Sequence, residues 1–233
     1  MTTPSYIARR GELEHYFDRT AVEAWKRLTS DAPVGRVRAT VRAGRDAMRN
    51  TLLSWLPDDL RGVRLLDAGC GTGALAIEAA RRGADVLAID ISPTLVTLAQ
   101  DRAPRDIGSG RVTFSVGDML DPKLGRFDHV VAMDSLIHYE GEDIAHTLAS
   151  LAARTSGSVL FTIAPRTPAL TVMHAMGRFF PRGDKAPAIA PISQRALERH
   201  IETLPALGGW QIARSQRIDR GFYISQALEA RRP

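Results

Sequence analysis

The chain has 233 residues, 44% of them apolar and 24% charged, with a formal net charge of +5. That length fits one domain, or one domain with a modest appendage, and the composition is that of a soluble globular protein. No apolar run approaches the roughly 20 residues that span a bilayer, no charged-then-apolar leader opens the chain, and the single cysteine, Cys70, excludes an intrachain disulfide. A cytoplasmic protein is the expectation. Six histidines beside one cysteine show no metal-ligand spacing, so no metal site is expected. The positive charge is spread over scattered arginines and points to an anionic partner: nucleic acid, an anionic membrane surface or an acidic small molecule.

Residues 6–56 read as helical. Val34, Val37, Val41, Met48 and Leu52 recur at helical spacing, and "LPDD" at 56–59 closes the segment. Arg38, Arg42, Arg45 and Arg49 form a second stripe on the same stretch. The stripe is either a solvated face or a row of guanidiniums offered to an anion. An alternating pattern follows: a strand over 63–67, a helix over 73–82, a strand over 85–91, and a helix over 93–102 capped by Ser92 with Pro93 at its first position. Further strands are expected at 111–116, 127–133 and 158–164, with a helix over 143–154 before the last. A Pro-rich stretch (165–191), a helix (193–204) and two strand-like runs (210–218 and 222–229) turning at Gly221 complete the chain. Such alternation implies a parallel sheet covered on both faces, and the closing hairpin puts an antiparallel strand in it.

The run "LLDAGCGTGA" (65–74) breaks from an apolar strand into alternating glycines. Gly69, Gly71 and Ala74 satisfy a dinucleotide fingerprint, whereas Asp67, Gly69, Gly71 and Gly73 spell an acidic-glycine loop. Glycines after a buried strand let backbone approach a ligand, and the next helix offers unpaired N–H groups. Asp67 separates the readings. A pyrophosphate there meets a carboxylate in a partly dry crevice, which is repulsive, while S-adenosylmethionine brings a sulfonium and an ammonium and no phosphate. Asp90, at the end of the second strand, suits both ribose hydroxyls of either cofactor. Asp118, in "VGDML", is positioned to accept from an adenine amino group, with Met119 packing on the ring. Cys70, Ile91 and Asp134 complete the expected cofactor contacts.

"LLDAGCGTG", "AIDIS", "GDM" and "FDHVVAMDSLIHY" resemble the class I S-adenosylmethionine-dependent methyltransferases over residues 63–164. That resemblance implies a Rossmann-like α/β fold with a seven-stranded, mostly parallel sheet whose last strand is antiparallel. A narrower resemblance runs nearly end to end. "YFDRTAVEAWKRL", "RVRATVRAGRDAM", "DSLIHY" and "GFYISQALEAR" are similar to the magnesium-protoporphyrin IX O-methyltransferases of (bacterio)chlorophyll synthesis. It implies an N-terminal helical lid (1–58), a methyltransferase domain (59–233) carrying a substrate-side insert (165–192), and a contact with magnesium chelatase. One departure stands out: where the family has a tyrosine shortly after the tryptophan matching Trp25, this chain reads Lys26-Arg27-Leu28-Thr29, leaving Tyr6 and Tyr16 as nearby phenols.

The implied reaction moves a methyl group from the sulfonium to a propionate carboxylate of Mg-protoporphyrin IX. A carboxylic acid of pKa about 4.5 is already ionised at pH 7, so positioning replaces a strong general base. His138 is the candidate for orienting the propionate by donating an N–H, for ligating the pigment's magnesium axially, or simply for capping the next helix. Asp134 and Tyr139, beside it at the sheet edge, are the further catalytic candidates, and Tyr16, Arg38 and Arg42 are the further substrate candidates. His129, inside a strand, reads as structural. The segment 170–187, with Met173, Met176, Phe179 and Phe180, is a second pocket wall, a membrane-facing surface or ordinary core. The alternative is a class I methyltransferase acting on another small acid, phenol or quinone. A nucleic-acid partner is not expected, because the arginines lack interleaved aromatics; peripheral membrane contact stays open.

Overall fold

A computed structural model describes residues 3–20, 35–166 and 188–233. The Lys26–Thr29 departure and the apolar 170–187 segment lie outside the described residues.

The described residues of the N-terminal region form two α-helices and a π-helical turn. Helix α1 (Pro4–His15) starts where Thr3 accepts from the Tyr6 N–H and Pro4 supplies its fixed φ, and it runs into a π-helical turn, Tyr16–Thr20. Helix α2 (Arg36–Ser54) buries Met48, Leu52 and Leu53, and Val37 near its start is half exposed. Within the stretch 6–56 expected to be helical, the turn at 16–20 is π-helical, which aims its side chains off the 3.6-residue period.

Seven strands then form one sheet among the described residues. They are β1 (Arg64–Ala68), β2 (Asp85–Asp90), β3 (Arg111–Val116), β4 (Phe127–Ala132), β5 (Thr155–Ile163), β6 (Gln211–Arg220) and β7 (Tyr223–Arg231). The order is β3-β2-β1-β4-β5-β7-β6, with β7 antiparallel to both its neighbours and β1 to β5 parallel. Helices α3 (Ala74–Arg81), α4 (Pro93–Arg102), α5 (Gly141–Ala152) and α6 (Gln194–Thr203) make the crossovers. One apolar cluster unites α1, α5 and α6 on one face of the sheet, and another unites α2 and α3 on the opposite face. This is the Rossmann-like α/β architecture that the sequence resemblance implies, with its antiparallel β7.

Most expected boundaries agree with these within a residue or two. Ser92 caps α4 through the Leu95 N–H and Ser193 caps α6 through the Ala196 N–H, as their residue types dictate. Strand β5 begins at Thr155, three residues before the expected 158. Gly157 falls inside it: a Cβ would lie 2.7 Å from the Asp128 carbonyl oxygen, so the strand passes too close to β4 for a side chain.

Register fixes the functional edge. Asp67 pairs with Ala88 and with Val131, and Asp90 with Val116, so the carboxyl ends of β1 to β4 finish side by side. The strand order reverses between β1 and β4, and an open α/β sheet makes its ligand crevice at such a switch point.

Candidate functional site

A cavity of about 350 Å³ opens at that switch point, in the range of small-molecule sites. Its floor is the loop after β1. Gly69 has φ +83° and a Cβ there would lie 2.6 Å from that of Ser135, whose hydroxyl donates to the Ala68 carbonyl at 2.9 Å. Gly71, at φ +54°, has nothing within 4 Å of a Cβ position, so its bare backbone faces space that a ligand can take. Gly73 serves a different purpose from the one expected. It is the left-handed N-cap of α3, packed where a Cβ would meet the Phe114 ring at 2.5 Å, and it does not line the cavity.

Two acids mark the donor end. Asp67 is 2% exposed, one of its oxygens (Oδ2) has no hydrogen-bond partner, and it lines the cavity. Burial pushes its carboxyl up to about 7; the neighbouring Asp90 adds to the rise and the Ala76 N–H opposes it. Asp90 accepts from the Gly71 N–H at 2.8 Å and the Ser92 N–H at 2.9 Å, and burial raises its carboxyl too. Those bonds leave acceptor capacity on each Asp90 oxygen. Two buried carboxylates in one cavity, one with an orphaned oxygen, call for a cation with hydroxyl donors. S-adenosylmethionine fits that requirement and a pyrophosphate does not. Ile91, Met119 and Cys70 also line the cavity, the Cys70 thiol being held protonated by burial.

Asp118 departs from expectation. It accepts from the Tyr6 hydroxyl at 2.8 Å, from Arg10 at 2.6 Å and from the Leu120 N–H at 2.9 Å, and it lies outside the cavity lining. Its carboxylate is the dock for α1. Tyr6 in turn stacks on Tyr139 at 4.9 Å, and the π turn is tied down by Asp18, which accepts from the Thr94 hydroxyl at 2.6 Å. The stacked phenol of Tyr139 lines the cavity but is buried, and that burial raises its pKa.

The acceptor end is built by the loop after β4 and by α2. Asp134 takes an uncommon φ of +55°; its carboxylate accepts from Arg45 at 2.7 Å and from the Tyr223 hydroxyl at 2.9 Å, and its N–H donates to Thr162 Oγ1 at 2.8 Å. His138 is buried, with Phe17 edge-on at 5.9 Å. Its Nδ1 lies 3.3 Å from the Ala188 carbonyl oxygen. A carbonyl only accepts, so Nδ1 carries the proton and, in the neutral ring, Nε2 keeps its lone pair. Burial lowers the His138 pKa against the Ala188 contact and Asp134, which keeps the ring neutral at pH 7. Donation to a propionate from Nε2 is therefore not what this tautomer offers, and the helix-cap reading of the ring has no support in its contacts.

The arginine stripe divides by position. Arg42, Arg45 and Arg49 line the cavity, whereas Arg38, a turn earlier, is exposed and outside it. Arg49 pairs with Asp46 at 2.9 Å and has a buried Nε–H without a partner. Tyr16 gives way to Phe17: the π turn sends Phe17 into the cavity wall and leaves Tyr16 packed against it at 5.2 Å. His129 bonds to Ser158 within the sheet, the structural role its position implies. Among the described residues no cluster of three metal-ligating side chains occurs, and no helix is long and apolar enough to cross a membrane. Phe17, Arg45, Arg49 and Tyr223 are the site residues that sequence reasoning left out. Arg45 and Arg49 were in the stripe, and Tyr223 lay in the quoted C-terminal motif.

Comparison with known proteins agrees with this geometry. A family described as "Magnesium-protoporphyrin IX methyltransferase C-terminus" matches residues 132–232, and a "Methyltransferase domain" family matches residues 65–156. A Rhodobacter capsulatus protein named magnesium-protoporphyrin O-methyltransferase is 51% identical over 97% of this chain and 98% of its own. One of the same name from Synechocystis is 33% identical over 94% of each chain. The crystal structure of magnesium protoporphyrin IX methyltransferase from Synechocystis with bound S-adenosylhomocysteine superposes with a TM-score of 0.83 at 30% identity, covering 96% of this chain and 99% of that one.

Proposed function

The chain belongs to the magnesium-protoporphyrin O-methyltransferase family, and from that membership we propose the chemistry of its cavity. It transfers a methyl group from S-adenosylmethionine to a propionate carboxylate of Mg-protoporphyrin IX. The products are the monomethyl ester and S-adenosylhomocysteine, a step of (bacterio)chlorophyll biosynthesis. One observation carries the reading: a single cavity joins an acidic, cation-demanding end at Asp67 and Asp90 to an end walled by Arg42, Arg45 and Arg49.

Bound S-adenosylmethionine supplies an electrophilic methyl on a sulfonium. Asp67 faces its positive charge, Asp90 accepts from its ribose hydroxyls, and the bare backbone of Gly69 and Gly71 lets it approach. Ile91 and Met119 flank the adenine. The propionate arrives ionised, so no residue needs to remove a proton. What the protein adds is orientation, with the carboxylate oxygen held roughly 3 to 3.5 Å from the methyl in a site closed to water. Arg42 and Arg49 receive the pigment's carboxylates, whose planar geometry suits a guanidinium. His138 Nε2, with its lone pair, ligates the substrate's magnesium from one face and so fixes the macrocycle. Helices α1 and α2, within the 1–58 arm, are the cover over this cavity.

Two partner expectations belong to the same reading: a hand-over contact with the magnesium chelatase, and peripheral membrane contact. The latter draws on two exposed apolar side chains, Phe222 and Val37. The reading is tested by titrating the protein, saturated with S-adenosylhomocysteine, into Mg-protoporphyrin IX. A Soret shift saturating at micromolar protein supports it, and an unmoved Soret band overturns it.

A further inference from the structure

The acceptor end poses a charge problem. Methyl transfer forms an O–C bond as the C–S bond breaks, the electron pair staying on sulfur. A carboxylate anion and a sulfonium cation are both consumed. Any uncompensated carboxylate at this end favours the sulfonium and repels the incoming anion, in a crevice where screening is weak. Asp134 would be such a carboxylate if it had no cation beside it: its side chain is 8% exposed and it lines the cavity together with Asp67, Asp90 and His138.

Asp134 is held fast. Its backbone sits in the left-handed region at φ +55°, with the N–H on Thr162 Oγ1 and the carboxylate on the Tyr223 hydroxyl. Among the described residues its salt-bridge partner is Arg45 at 2.7 Å, which comes from helix α2 and not from the sheet. Gly44, next to Arg45, allows this: a Cβ on it would lie 2.5 Å from the Tyr223 ring. Only a glycine lets α2 come down onto β7 far enough for residue 45 to reach the loop after β4.

We propose that Arg45 is a positioning residue that selects for an anionic acceptor, by masking the charge of Asp134 so that a carboxylate can approach the methyl. The inference rests on the carboxyl-methylation reading above and assigns Arg45 a role different from clamping the propionate. The arm helix then does more than cover the cavity. It converts a site otherwise suited to cations into one that admits an anion.

The two halves of the pair make opposite predictions. Arg45→Met unmasks Asp134, raising KM for Mg-protoporphyrin on the order of tenfold or more and shifting the affinity ratio toward S-adenosylmethionine over S-adenosylhomocysteine, which differ in charge at sulfur. Asp134→Asn removes the acid that Arg45 masks, lowering that KM and shifting the ratio the other way. The double variant returns both quantities most of the way to wild type, and Arg45→Lys stays within a few-fold of it. A pair that merely ties α2 to the sheet weakens pigment binding in both single variants, with no recovery in the double. That outcome, or an unchanged KM in Arg45→Met, overturns the proposal. The two cofactor affinities are measured by calorimetry without pigment. They therefore read the masking of Asp134 even if the wild-type protein fails to bind Mg-protoporphyrin, a failure that would count against the functional reading alone.

Discussion

Asp67→Asn probes the basis of cofactor recognition. With its carboxyl raised from 3.8 to about 7, the roughly three-unit shift corresponds to about 4 kcal/mol between the two protonation states. Because the folded-state value lies above the unfolded one, Asp67 favours folding most below pH 4. That contribution is lost as pH rises to 7, where the buried group must ionise. In the cofactor-free protein, Asp67→Asn removes this loss and raises the melting temperature at pH 8 more than at pH 5. The cofactor's cationic centres reverse the balance: they favour the ionised acid and release its proton on binding. Near pH 6, where the cofactor-free carboxyl is mostly protonated, calorimetry in buffers of different ionisation enthalpy should find close to one more proton released by wild type than by the variant. Affinity for S-adenosylmethionine should fall at least a hundredfold in the variant. Equal proton release in the two proteins, or wild-type affinity in the variant, would refute the assignment of Asp67 to the cofactor's positive charge.

Asp90→Ala removes charge-assisted acceptors from the ribose and leaves the Gly71 and Ser92 N–H groups unpaired, so cofactor affinity measured by calorimetry should fall at least a hundredfold. His138→Ala should cut turnover more than tenfold while S-adenosylhomocysteine affinity stays within about twofold; wild-type turnover would remove the ring from the site. Gly44→Ala tests the close approach of α2 to Tyr223. In an exposed helix this change stabilises by about 1 kcal/mol, but here the overlap should destabilise by about 1 to 3 kcal/mol in denaturant unfolding.

The chain order of strands and helices was legible because each element carries its own local cause. Buried runs such as "LLDA" end in glycine, Ser92 and Ser193 cap the helices that follow them, and Gly221 turns the hairpin at φ +63°. The acidic ends of β1 and β2 were legible for the same reason, since strand ends at a switch point face the ligand. What escaped the sequence depends on contacts between distant segments. Nothing near Asp118 announces that Tyr6 and Arg10, more than a hundred residues earlier, occupy its carboxylate. Spacing marked four arginines on one face, yet only the docking angle of α2 over β7 decides that Arg38 misses the cavity and Arg45 meets Asp134. The π turn substituted Phe17 for Tyr16 by a change of helical phase that composition does not encode. His138 was legible as a residue, but its tautomer depends on a carbonyl fifty positions away, at Ala188.

The most direct measurement is turnover of the purified chain with S-adenosylmethionine and Mg-protoporphyrin IX, with the pigment analysed by mass spectrometry. The expected result is a pigment product carrying one added methyl as a base-labile ester, formed in step with S-adenosylhomocysteine. Pigment recovered unmethylated, from a protein that binds S-adenosylmethionine, would contradict it.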